Sequence, residues 1–101
     1  MTTGELTDYT VEHLAMHGVT LRRNNVGMKG HYRYGIKEWP DVIGYTSRGR
    51  FVAIEIKNQD TRDRMRAGQI AAMREMISRG CIVGIVRCLE DVDKLVVEEG
   101  L

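Results

Sequence analysis

Apolar positions recur along this chain with two different periods. In residues 7–17, Val11, Leu14 and Ala15 fall on one face at helical spacing and Gly18 follows as a stop, which predicts a first helix. Residues 67–79 set Ile70, Met73, Met76 and Ile77 at the same spacing ahead of Gly80, which predicts a second. "LEDVDKLVVEE", residues 89–99, predicts a third. Strand signals lie between them. "VTLRR" (19–23) and "DVIGY" (41–45) are short, and "FVAIEIK" (51–57) alternates. "CIVGIV" (81–86) is the unbroken apolar run of a strand covered on both faces. "TSRGR" (46–50) is a turn, so DVIGY and FVAIEIK form an antiparallel hairpin. "NNVGMKGHYRYG" (24–35) reads as a glycine-rich loop or loose hairpin, and a charged loop from residue 58 leads into the second helix. The order is α-β-β-β-α-β-α. The step through helix 67–79 is a parallel crossover, so the expected fold is α/β, a mixed sheet flanked by helices.

Composition narrows this picture. The 101 residues make one domain, 1–101. A chain of this size buries about 60–65% of its unfolded surface, so its core is thin and pairing as a homodimer would help. No stretch approaches the roughly 18 apolar residues of a membrane span, so no membrane partner is expected. The N-terminus lacks a basic start followed by an apolar run, and Cys81 and Cys88 fit neither a disulfide framework nor a CxxC pair. A reducing cytoplasm is the expected setting. The net charge of +1 is unevenly spread. Arg22, Arg23, Lys29, Arg33 and Lys37 occur with no acid among them, interleaved with Tyr32 and Tyr34, whereas the final dozen residues carry five acids and one base. A basic surface of this kind suits phosphates, and its aromatics suit unpaired bases. Asn24, Asn25, Gly27 and Gly30 would let a DNA backbone approach closely, and Arg62 and Arg66 form a second basic candidate. His13 and His17 stand one helical turn apart, but no third ligand accompanies them for zinc.

The chemistry concentrates in residues 39–57. In FVAIEIK, Val52, Ile54 and Ile56 point one way and Phe51, Ala53, Glu55 and Lys57 the other. Asp41 opens the neighbouring strand, so the hairpin brings it close to Glu55. Two carboxylates held together repel unless a cation lies between them. An all-oxygen donor set suits Mg²⁺ or Mn²⁺, which polarises a phosphoryl oxygen and acidifies a bound water. Lys57, on the same face, could orient that water and stabilise developing charge. The plainer alternative is a half-solvated strand whose wet face carries an acid and a base.

Pro40-Asp41 followed by Glu55-Ile56-Lys57 resembles the PD-(D/E)xK nuclease superfamily. The whole series Arg23-Asn24-Asn25, Gly35, Pro40-Asp41, Glu55-Ile56-Lys57, Gln69, Gly80 resembles its virus-type replication-repair nuclease (VRR-NUC) domain. The resemblance spans almost the whole chain and implies a restriction-endonuclease-like fold. It further implies a Mg²⁺- or Mn²⁺-dependent DNA endonuclease, acting on branched or flapped DNA in repair, recombination or phage replication. In that reading Asp41, Glu55 and the Ile56 carbonyl hold the metal, Lys57 is the catalytic lysine, and Gln69 assists. An early helix acid belongs to the same set. Glu5, Asp8 and Glu12 share one stripe, and Glu5 fits best. Arg22, Arg23, Asn25, Lys29, Arg33, Lys37, Arg62 and Arg66 are the expected DNA contacts. Two positions depart from the pattern. Glu38-Trp39 stands where a glycine and a small apolar residue are common, and Arg66 stands where a serine often caps the glutamine helix. The competing reading from another class is a DNA-binding module, or a partner-dependent subunit, that does not cut on its own.

Overall fold

The computed structural model describes residues 1–58 and 65–101. Helix α1 (Thr3–Ala15) is started by a reciprocal cap. Thr2 Oγ1 accepts the Glu5 N–H at 3.1 Å, and Glu5 Oε1 accepts the Thr2 N–H at 2.9 Å. That cap satisfies two amides at the helix start, so α1 begins at Thr3 rather than Thr7, and it closes at Ala15 rather than His17. Its inner face is Leu6, Thr7, Thr10 and Leu14, while Ala15 is exposed. The threonines tolerate burial because their hydroxyls donate to the Thr3 and Leu6 carbonyls, at 2.8 and 2.7 Å.

Strand β1 (Thr20–Arg23) follows. The glycine-rich stretch then forms a separate two-stranded hairpin, β2 (Gly27–Lys29) and β3 (Tyr32–Tyr34). Next come β4 (Val42–Tyr45), β5 (Phe51–Ile56), α2 (Ala67–Ser78), β6 (Ile82–Val86) and α3 (Leu89–Glu99). The main sheet has the order β1-β4-β5-β6, antiparallel except for the parallel β5–β6 pair. This is the expected mixed sheet flanked by helices, in the order α-β-β-β-α-β-α, with β2–β3 inserted as a small second sheet.

Strand β5 lies inside the sheet and every residue from Val52 to Ile56 is buried. Val52, Ile54 and Ile56 enter the main core with Leu6 and Leu14 of α1 and Val92 and Leu95 of α3. Ala53 and Glu55 point to the other side, where α2 turns Gln69, Met73 and Met76 inward. Ile70 and Ile77, expected on that inner face, are instead 38% and 59% exposed. A helix that rests on a small sheet by one row at i, i+4 and i+7 leaves its flanking positions to solvent. Among the described residues no helix is long and apolar enough to cross a membrane.

Candidate active site

The β4–β5 ladder ends in an exchange between two acids. Its last rung pairs Val42 with Ile54, so Asp41 stands opposite Glu55 just beyond it. Pro40 precedes Asp41 and has no N–H to extend the ladder. Each acid's side chain takes over instead. Glu55 Oε1 accepts the Asp41 N–H at 3.1 Å, and Asp41 Oδ2 accepts the Ile56 N–H at 2.9 Å. These bonds hold both carboxylates at one point of the sheet's end. Asp41 is exposed there, whereas Glu55 is only 1% exposed. That burial rules out a solvated strand face.

Lys57, just past the end of β5, and Gln69 of α2 close on Glu55. Lys57 Nζ lies 3.6 Å from Glu55 Oε2 with its side chain 11% exposed. Gln69 Nε2 donates to the same oxygen at 2.5 Å, and Gln69 Oε1 accepts the Arg66 N–H at 3.4 Å. The buried glutamine thus spends one end of its amide on the carboxylate and the other on the start of α2. Burial first, and the adjacent Asp41 carboxylate second, push the Glu55 carboxyl up to about 7 against the opposing pull of Lys57. A buried carboxylate crowded by an exposed one makes an all-oxygen donor pair of the kind that fits a hard divalent cation. Among the described residues no three His, Cys, Asp or Glu side chains converge on one point, so any such cation would take its remaining ligands from backbone or water.

The segment before Asp41 is fixed by Asn24. Its Oδ1 accepts the Ile36 N–H at 2.8 Å, while Nδ2 donates to the Ile36 carbonyl at 2.8 Å and the Pro40 carbonyl at 3.3 Å. The Asn24 N–H also donates to the Asp41 carbonyl at 2.7 Å. Gly35 enters this segment at φ +75°, and a Cβ there would lie 2.1 Å from the Asn25 carbonyl oxygen, so only glycine fits. The result is an open cleft of about 740 Å³ whose walls include Asn25, Lys37, Glu38, Asp41, Glu55, Lys57, Arg66 and Gln69.

No protein-family model matches the chain, and no curated protein matches it at a significant level. A solved structure described as a VRR_NUC domain does match, with a TM-score of 0.69 and 22% identity over 100% of both chains. The fold is a VRR_NUC fold. It matches the expected restriction-endonuclease-like arrangement of a mixed sheet flanked by helices.

On this VRR_NUC fold the expected site residues fall into three groups. Asp41, Glu55, Ile56, Lys57 and Gln69 come together, and Asn25, Lys37 and Arg66 join them on the cleft wall. Lys29 and Arg33 sit on the β2–β3 hairpin, where Arg33 lines an adjoining groove with Met28, Tyr34 and Lys37. The remainder lie elsewhere. Glu5 is exposed and does not line the cleft, and its bonds from Thr2 hold its carboxyl below the usual range. Arg23 is paired with Asp8 at 2.5 Å, and Arg22 donates to the Leu21 carbonyl at 2.9 Å. Arg62 lies outside the described residues. Asn24 as the clamp of the cleft is new. Its partners are backbone groups 12 or more positions away, which no local pattern displays.

Proposed function

We propose that this chain is a divalent-metal-dependent endonuclease that hydrolyses DNA phosphodiester bonds. The observation that carries the reading is the buried Glu55, held against Asp41 by exchanged backbone bonds and faced by Lys57 in an open cleft. A carboxylate so placed is costly without a cation, and a strand built only for stability would carry an apolar residue there. Asp41, Glu55 and the Ile56 carbonyl would hold Mg²⁺ or Mn²⁺. Bound there, the ion would polarise a phosphoryl oxygen and acidify a water.

The chain's own groups then divide the work. Lys57 orients the attacking water and faces the charge that develops on the phosphorus oxygens. Gln69 fixes the Glu55 carboxylate so that it cannot swing away from the ion. Asn25, Lys37 and Arg66 grip phosphates along the cleft, with Lys29 and Arg33 extending that grip along the hairpin. Tyr32, 81% exposed beside these cations, supports a preference for DNA with unpaired bases, such as flaps and branches met in repair, recombination or phage replication. Glu5 would act only through α1. A homodimer would place two such clefts together, and the edge strand β6 with its exposed Ile85 supports pairing. Sedimentation that finds a fully active monomer at high concentration would remove the dimer.

The test is a panel of labelled duplex, flap and four-way DNAs incubated with Mg²⁺, Mn²⁺ or EDTA. The expected result is cleavage with either metal, abolished by EDTA, and fastest on flapped or branched forms. A native chain that binds DNA but cuts nothing would make it a binding module instead.

A further inference from the structure

Glu38 holds an unusual backbone conformation. It is the only non-glycine residue at positive φ among the described residues, at 69°. A side chain is disfavoured at such a φ. Its carboxylate lies on the cleft wall rather than with the metal-binding pair, since Glu38, Asp41 and Glu55 do not converge. It reaches across to α2 instead. Arg66 Nε stands 3.4 Å from Glu38 Oε2, and a Cβ on Gly68 would come within 2.7 Å of that same oxygen. The first turn of α2 is therefore bare at the spot where the carboxylate rests. The Arg66 side chain is 66% exposed, so the pair adds little to stability and opens readily.

We propose that Glu38 is a built-in competitor for a substrate phosphate. Its Oε2 occupies the Arg66 Nε in the absence of DNA, and a phosphodiester entering the cleft displaces it. Lys57 on the same cleft already faces Glu55, so Arg66 is the cation that Glu38 holds back, beside Asn25 and Lys37. The pair acts as a filter. DNA that seats enough phosphates to release Arg66 is retained, and DNA that engages the cleft at one point is not. This inference rests on the reading of the cleft as a DNA site.

The experiment is a binding titration with a fluorescein-labelled flap duplex in Ca²⁺, beside cleavage in Mg²⁺. Glu38→Gln keeps the size and backbone and removes the charge. It should tighten binding about threefold to fivefold, the scale of one exposed ion pair. In an Arg66→Ala background the same change should have no effect, because the held partner is gone. Glu38→Gly serves as the second variant and should tighten binding equally. Equal tightening with and without Arg66 would mean general repulsion and would overturn the proposal, as would unchanged or weaker binding. If the native chain binds and cuts but Glu38→Gln changes nothing, the competitor fails and the nuclease reading stands. If no variant binds DNA, both fall together.

Discussion

The two faces of β5 differ in what they do with burial. Val52, Ile54 and Ile56 face α1 and α3 in a dry core, while Ala53 and Glu55 face α2 at equal depth. One strand with one alternation supplies both. On the first face burial yields stability, since apolar area leaves water. On the second it is used to hold a carboxylate where its charge is unwelcome, which is the condition for a tight cation site. On the proposed reading, stability and chemistry are thus separated by a single residue step along the chain, and each should fail in its own way.

The largest expected effect is on the polar face. Lys57→Ala should lower single-turnover cleavage by roughly 10²-fold or more and leave DNA binding in Ca²⁺ nearly unchanged. Asp41→Asn should weaken Mn²⁺ binding measured by calorimetry and remove cleavage with it. Equal Mn²⁺ affinity in the two proteins would sink the metal site. On the dry face, Ile54→Ala should destabilise the fold by about 2–4 kcal/mol in urea unfolding. A comparable loss from Lys57→Ala would blur the two faces into one.

The fourth prediction titrates the contrast. Glu55 has its carboxyl raised to about 7 in the folded chain from an ordinary value of 4.5. A raised acid contributes stability that is fully present below about 4.5 and is lost as pH rises through about 7. Without divalent metal, stability should therefore fall across that window, by on the order of 3 kcal/mol. Added Mn²⁺ should restore it on the alkaline side. Thermal unfolding as a function of pH measures this, and Asp41→Asn should flatten the slope because the neighbouring charge is gone. The smallest effect concerns the cleft wall. Glu38→Gly should be more stable than Glu38→Ala by about 1 kcal/mol, because both lose the Arg66 pair and only glycine relieves the positive φ. Equal stabilities would remove the strain.

The elements with strong periodicity were legible in the sequence, and those held by distant partners were not. FVAIEIK, CIVGIV and the final helix have patterns that extend over enough residues to declare themselves. The β2–β3 hairpin has three-residue strands with almost no burial, so it leaves no periodic trace and reads equally as a loop. The early start of α1 was written in Thr2 and Glu5 as a capping pair, but apolar spacing alone does not register it. Asp41, Glu55 and Lys57 could be placed together because a hairpin fixes their directions, while the helix face turned Gln69 toward the sheet and the family resemblance joined it to them. Ile70 and Ile77 were misplaced because spacing defines a stripe and not its width. Asn24 and the φ of Glu38 are properties of the assembled loop, set by contacts across the fold.

Asn24 holds the segment from Ile36 to Pro40 by main-chain atoms, with no side chain of that segment as a partner. Of the residues between those anchors that line the cleft, Glu38 and Trp39 have side-chain partners of their own in Arg66 and Phe51, and Lys37 is exposed. For protein engineering this makes Lys37 the position to vary, because a substitution there leaves the Asn24 bonds and the neighbouring Asp41 in place.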